Sequence, residues 1–193
     1  MGEFVTNVDN VTATKPEIGG AVRTAPYGTP LPTDATSELD QAFVTLGYIT
    51  TDGFTNSNPI ESASVKAWGG DTIFNGETGR SDAFKAKFAE YKNAAVAKVV
   101  YGEDNVEVNT DGSIKAIHAN CEEHEKRSWV IDEILSNGDK SRTVIANGTV
   151  TGLGDINHKE GEPLAYETTI SALPDEKHKN KNGTPDTHVT YFA

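Results

Sequence analysis

The stretch AFKAKFAEYKNAAVAKVVYG, residues 83–102, decides the fold class because it can form either a strand or a helix. In a strand, alternate side chains point to opposite faces, and one face would then hold Phe84, Ala86 and Phe88. In one continuous helix over 82–100, the two phenylalanines and Tyr91 would share an apolar face. Periodicity alone leaves both structures open.

We interpret this stretch as a strand to about Tyr91 followed by a short helix over 93–100. Asn93 can accept a hydrogen bond from the first helical turn, and Gly102 can end the helix. The continuous helix remains the alternative. Helix-length patterns are nearly absent elsewhere, so this interpretation gives the chain one short helix.

The rest of the chain shows mainly strand and turn signals. NVEVNTDGSIKAI, residues 105–117, predicts two short strands around an Asp111-Gly112 turn. YETTISAL, residues 166–173, alternates regularly, which is typical of a strand with one polar face. A further turn is predicted at 137–139, between two apolar runs. Short apolar runs separated by frequent turns predict a mainly β domain, a sandwich or barrel.

The segment IESASVKAW, residues 60–68, also alternates, and it predicts a half-buried strand ending at Trp68. The Gly-rich stretch 69–82 after it predicts a long loop or an extended hairpin. Near the N-terminus, FVTLGYITTDGFT (43–55) predicts a strand running into an Asp52-Gly53 turn. SELDQAF (37–43) predicts a helical turn capped by Ser37.

The chain from its start to about Pro32 is polar and rich in Gly, Pro and Thr. We expect residues 1–32 to form an extended N-terminal arm with little secondary structure, and residues 33–193 to form a single β-sandwich domain. The prolines at 26, 30 and 32 make this arm stiffer than a Gly/Ser linker.

Composition excludes several classes of function. The formal net charge of −12 argues against a nucleic-acid clamp, because binding phosphates requires clustered Lys and Arg. A single cysteine, Cys121, permits no intrachain disulfide. No stretch has the length of a membrane span and no signal peptide is evident, so we expect a protein made in the cytoplasm with no membrane partner.

The sequence gives little support for a catalytic site or a cofactor-binding site. His118, Cys121 and His124 form an H-x-x-C-x-x-H pattern, but zinc needs a fourth ligand and no second Cys or His pair exists, so we interpret it as a solvated loop. GLGD at 152–155 lacks the third glycine of a dinucleotide fingerprint. No nucleophile elbow is present. We therefore expect no enzyme, no metal and no cofactor.

Several short strings, in this order, resemble the major tail proteins (tail tube proteins) of long-tailed siphophages of Gram-positive bacteria. The strings are GGAVRTAPYGTPLPTDAT (19–36), LDQAFVTLGYITTDGFT (39–55), AWGGD (67–71), VVYG (99–102) and NGTVTGLGDINHKEGEPLAYETTISALPD (147–175). The resemblance extends from about Glu17 to Asp175 and covers most of the chain.

This resemblance implies the phage tail tube fold: two packed β-sheets with one short flanking helix and long loops. It implies a structural virion protein, assembled in the bacterial cytoplasm, whose hexameric rings stack into the conduit for DNA ejection. The partners would be further copies of the chain, the tape measure, tail tip and terminator proteins, and DNA that passes without specific binding.

For the contacts between subunits and rings we select part of the N-terminal arm and the Gly-rich loop. The residues are Val22, Tyr27, Leu31, Trp68, Gly69, Gly70, Asp71 and Phe74. Deleting 71–80 is expected to leave a folded monomer that does not polymerise. The alternatives are a tail terminator, a capsid decoration protein, or a receptor- or carbohydrate-binding module.

Overall fold

The computed structural model describes residues 6–17 and 19–193; residues 1–5 of the expected N-terminal arm and Ile18 lie outside the described part. The protein is mainly β with one α-helix, α1 (Ala94–Tyr101), and two 3-10 turns, Val8–Asn10 and Glu103–Asn105. The strands are β1 (Thr14–Pro16), β2 (Val22–Pro26), β3 (Val44–Thr45), β4 (Ile49–Ser57), β5 (Ile60–Lys66), β6 (Thr72–Arg80), β7 (Asp82–Phe88), β8 (Val106–Val108), β9 (Ile114–Ile117), β10 (Arg127–Leu135), β11 (Lys140–Leu153), β12 (Tyr166–Ala172), β13 (Asp175–Lys179), β14 (Pro185–Asp186) and β15 (Val189–Phe192).

A nine-stranded antiparallel sheet forms the body, in the order β3-β2-β10-β11-β12-β7-β4, with β1 also on β10 and β15 also on β11. Its two edge strands, β3 and β4, are separated by only residues 46–48. The Leu46 N–H donates to the Val22 carbonyl on one edge, and the Ala89 N–H donates to the Tyr48 carbonyl on the other. The sheet therefore curls until its edges meet, which gives the barrel-like form of the predicted sandwich.

The core lies inside this curled sheet. Its largest fully buried side chains are Trp129, Tyr166, Phe84, Phe88, Leu46, Ile131, Ile145 and Ile170. Helix α1 covers one side of the core with Val96, Val99 and Val100. The burial alternation predicted for residues 166–172 is confirmed, because every second residue of β12 from Tyr166 is buried.

The strand-then-helix interpretation of residues 83–102 is confirmed, with the strand ending at Phe88 rather than Tyr91. The Asn93 side chain accepts a hydrogen bond from the Ala95 N–H at 2.9 Å, and Gly102 ends the helix at φ 100°. A positive φ of this kind favours glycine. The continuous helix is excluded because β7 pairs with β12 along its whole length.

Three local predictions are wrong. β4 runs through the expected Asp52-Gly53 turn, with a register shift in its pairing to β7 between residues 49 and 54. Residues 37–43 contain one hydrogen-bonded turn, from the Phe43 N–H to the Asp40 carbonyl, rather than the predicted helical turn capped by Ser37. β5 is a strand, but all its residues are exposed rather than half-buried.

The expected arm also differs from the structure within residues 19–32. β2 lies between β3 and β10 in the main sheet, and Val22 and Ala25 are fully buried there. Long-range pairing with β10 supplies this burial, and no local sequence signal shows it. Within residues 6–17, β1 pairs with residues 133–135 of β10, and most of the side chains that the structure describes are exposed.

The outer face of the sheet is covered at its centre by the chain around residues 31–37. Asp132 of β10 accepts hydrogen bonds from Arg23 and Arg142, and the Arg142 Nη1 group also donates to the Ser37 carbonyl at 2.8 Å. The hydrogen bonds of Arg142 to Asp132 and to the Ser37 carbonyl hold residues 31–37 against the sheet.

Candidate interaction surfaces

Residues 60–80 form a hairpin, here called the projecting hairpin, that leaves the body of the protein. Its strands β5 and β6 pair with each other and, within residues 6–17 and 19–193, with no other strand. At its root the Ser81 N–H donates to the Pro59 carbonyl, so the hairpin continues the β4–β7 ribbon. Residues 69–82, predicted as a long loop or an extended hairpin, instead supply the turn and the second strand of a hairpin that begins at Ile60.

The projecting hairpin has one apolar face and one polar face, because residues opposite each other in an antiparallel pair lie on the same face. Val65 lies opposite Phe74, and Ala63 lies opposite Gly76. The other face carries the pairs Ser62 with Glu77 and Ser64 with Asn75. Nothing in the described part of a single chain covers the apolar face, and Phe74 is 62 % exposed.

The tip of the projecting hairpin consists of Trp68, Gly69, Gly70 and Asp71. The turn is closed by hydrogen bonds from the Ala67 N–H to the Asp71 carbonyl (2.7 Å) and from the Gly70 N–H to the Ala67 carbonyl (2.9 Å). Gly70 has φ +92°, which favours glycine. The Trp68 side chain is fully exposed, although large aromatic side chains usually bury most of their surface.

A second exposed surface, here called the C-terminal pocket, lies between residues 31–33, β11 and the segment 177–191. Its volume is about 220 Å³. Apolar walls come from Leu31, Pro32, Val144, Ala146, Val189 and Tyr191, and the polar lining includes Lys177, Lys179, Asp186 and two histidines, His178 and His188.

Two buried carboxylates hold the segment that forms this pocket. Asp82 accepts hydrogen bonds from Thr187 and from the Arg80 Nε group and lies 3.2 Å from His188 Nδ1. Burial alone would raise the pKa of Asp82, but the hydrogen bonds and positive neighbours outweigh it and hold that pKa below its usual value. Asp82 therefore joins the root of the projecting hairpin to the C-terminal segment.

Asp175 makes the corresponding contacts at the other end of the pocket. The Tyr27 hydroxyl donates to its Oδ1 atom at 3.0 Å, and His178 Nδ1 lies 2.5 Å from its Oδ2 atom. Burial alone would raise the pKa of Asp175. The hydrogen bonds from His178, from the Lys177 backbone N–H and from Tyr27 outweigh burial and lower that pKa. Lys177 also lies over the Tyr27 ring, 5.5 Å from its centroid.

The residues that we selected from the sequence thus fall into three places. Trp68, Gly69, Gly70, Asp71 and Phe74 all lie on the projecting hairpin. Leu31 lines the C-terminal pocket and Tyr27 supports it. Val22 is fully buried in the core, so its selection as a contact residue is wrong.

Sequence reasoning did not select the basic side of the C-terminal pocket, Lys177 and Lys179. The available signal was the KHKNK run at 177–181, a local excess of positive charge in a chain of net charge −12. Segment 175–186 contains two short strands, β13 and β14.

His118, Cys121 and His124 have separate neighbours. His118 contacts Glu107, His124 contacts the Val100 carbonyl, and Cys121 is exposed. Within residues 6–17 and 19–193, no three His, Cys, Asp or Glu side chains lie close enough together to hold a metal ion. No helix of the described chain is long and apolar enough to cross a bilayer.

The fold and these surfaces define a β-structured protein with large exposed contact surfaces. A sequence model of the phage tail tube protein family matches residues 9–182, and the chain belongs to that family. It is a structural component of the phage tail and not an enzyme. A comparison with curated proteins gave no match.

Proposed function

We propose that this chain polymerises into stacked hexameric rings that form the tail tube of a siphophage of Gram-positive bacteria. The tube is the conduit for DNA ejection and is assembled in the host cytoplasm, in contact with the tape measure, tail tip and terminator proteins. The single observation that carries the proposal is the projecting hairpin, whose apolar face has no cover within the described chain. Membership of the tail tube family supports it.

An exposed two-stranded hairpin with an apolar face gains stability by packing on a second protein surface. A hairpin alone is marginally stable in water, and three or more strands or a packed face stabilise it. In a homopolymer every copy supplies both the hairpin and the surface that receives it. Subunit contacts therefore explain why Val65, Phe74 and Trp68 are exposed in a single chain.

The charge of the chain suits a conduit. A ring of six copies at −12 each repels the phosphates of DNA, so the DNA slides rather than binds. The same charge opposes contact between copies. Apolar burial by the projecting hairpin and pairing of free strand edges must exceed that repulsion.

Shortening the projecting hairpin tests the proposal. Deleting 71–80 would remove the whole of β6 and leave β5 unpaired. A cleaner variant therefore joins Ser62 to Glu77, which are paired residues, through an Asn-Gly turn. We expect this variant to stay folded and monomeric while the full chain forms long tubes of uniform width. Negative-stain microscopy of both proteins at high concentration gives the readout.

Each other outcome of that experiment has a clear meaning. Normal tubes from the shortened variant would remove the projecting hairpin from the assembly contacts. Isolated rings from the full chain would favour a tail terminator. A full chain that stays strictly monomeric at its solubility limit would contradict self-assembly.

A further inference from the structure

We propose that the tip of the projecting hairpin docks into the C-terminal pocket of a second copy of this chain. The Trp68 indole fills the pocket, and the Asp71 carboxylate pairs with Lys177 at its basic side. This inference rests on the proposed self-assembly and names the surface that receives the hairpin tip.

The tip carries two side chains that the described part of its own chain leaves without partners. Trp68 is fully exposed at the end of a ribbon that points away from the body. Asp71 is exposed and has no ion pair among the described residues. Tryptophan is among the residues that contribute most to protein interfaces, above all where it enters a desolvated pocket.

The C-terminal pocket has the size and lining for a large side chain. At about 220 Å³ it is smaller than the roughly 300–1,000 Å³ of most small-molecule sites. Leu31, Val144 and Tyr191 offer apolar contact to an indole ring. A lysine ammonium beside the ring adds a cation–π attraction, which is strongest for tryptophan.

Charge complementarity favours this pocket over two of the others. The C-terminal pocket presents Lys177 and Lys179 beside one carboxylate, Asp186, and the Lys177 ammonium has no carboxylate partner among the described residues. A second pocket is lined by Asp52 and Glu133, with one lysine, and would repel Asp71. A third, beside Tyr101 and Leu153, contains neither Lys nor Arg.

Such a contact is heterologous, because the tip and the pocket are different surfaces of the same chain. When two copies do not exchange tips reciprocally, each contact leaves one free tip and one free pocket for the next copy. Such contacts therefore generate closed rings or open filaments rather than isolated dimers. The inference thus agrees with a tube built from repeated copies.

Disulfide trapping tests the contact directly. In a Cys121→Ser background, Asp71→Cys and Lys177→Cys are placed together in one chain, and the assembled protein is oxidised. We expect a ladder of covalent multimers on a non-reducing gel, because each chain offers one cysteine at the tip and one at the pocket. Either single-cysteine variant can give at most a covalent dimer.

A charge exchange tests the same contact without cysteines. Asp71→Lys or Lys177→Glu alone should raise the concentration needed for polymer by about tenfold, and the combined variant should restore it to near the original value. Asp155→Lys and Lys126→Glu make the same charge changes on exposed residues outside both surfaces. Asp155→Lys should change the concentration needed for polymer less than Asp71→Lys does, and Lys126→Glu less than Lys177→Glu does.

The two proposals fail in different ways. The docking of the tip would be overturned if the full chain forms tubes but the double-cysteine variant gives no ladder and the combined charge variant gives no rescue. Self-assembly would then remain intact. Absence of any polymer from the full chain at its solubility limit would overturn self-assembly, and the docking inference with it.

Discussion

Gly148 shows how closely single residues are fitted in this core. It lies in β11 beside Trp129, the largest fully buried side chain. A Cβ atom at this position would lie 2.7 Å from Cδ1 and Nε1 of Trp129 and 3.1 Å from Cγ2 of Ile170. Real Cβ contacts are longer, so the space over the indole ring exists only because residue 148 has no side chain.

Replacing this glycine should therefore destabilise the monomer. Gly148→Ala forces Trp129 or the backbone to move, and overpacking of this kind costs about 1–3 kcal/mol of the free energy of unfolding. Urea denaturation followed by fluorescence measures the change. The control is Gly69→Ala at the hairpin tip, where a Cβ meets open space. Equal unfolding midpoints for the two variants would contradict the close contact with Trp129.

For single helices, strands and turns, the sequence predicted the features that depend on residues close together in the chain. The change from strand to helix near residue 93 followed from a capping side chain at Asn93 and a glycine at 102, and both act as predicted. The turns at 111–112 and 137–139 are also confirmed, since each joins two paired antiparallel strands. They could be predicted because Asn, Asp and Gly favour such turns.

Long-range pairing and contacts with other copies could not be predicted in the same way. Val22 fell within the predicted extended arm because its partner strand β10 lies about a hundred residues further along the chain. The alternation of residues 60–66 correctly predicted a strand with two unlike faces. Alternation does not tell whether the apolar face is covered by the same chain, so the burial prediction failed.

Acid should loosen the C-terminal segment, which Asp82 and Asp175 hold in place. Their pKa values are lowered in the folded protein, so the unfolded chain binds protons first, near pH 4. The stability that these carboxylates contribute is present above that pH and is lost as the pH falls through their lower folded pKa values.

Asp82→Asn isolates this contribution from the acid response of all other carboxylates. The variant should unfold at lower urea than the wild type at pH 7, and the difference should shrink at about pH 3. Asp155→Asn, on an exposed residue, is the matched control and should follow the wild type at both values. A difference between wild type and Asp82→Asn that stays constant with pH would contradict the role of the ionised carboxylate.

For the whole molecule, a compact group of exposed apolar side chains lies outside the closed sheet, on the projecting hairpin. Residues 46–48 join both sheet edges, so the body offers few long free edges. The apolar side chains Val65, Trp68, Ile73 and Phe74 project instead on the hairpin. Under the proposed self-assembly, apolar attraction between copies is concentrated at the projecting hairpin, while repulsion is spread over the acidic surface.

This division predicts that salt promotes polymerisation. The screening length falls from about 30 Å at 0.01 M salt to about 10 Å at 0.1 M, which weakens repulsion between chains of net charge −12. A partly buried Asp71–Lys177 pair is screened much less. The concentration at which polymer first appears, measured by light scattering across this salt range, should therefore fall as salt is added.

Two charge variants sharpen the salt prediction. Asp155→Lys changes the net charge from −12 to −10 and should need less salt for polymerisation, whereas Lys126→Glu changes it to −14 and should need more. The ordering of the three proteins follows from net charge alone, because neither residue lies on the projecting hairpin or lines the C-terminal pocket. Polymer that dissolves as salt rises would show that attraction between opposite charges, rather than apolar contact, holds the copies together.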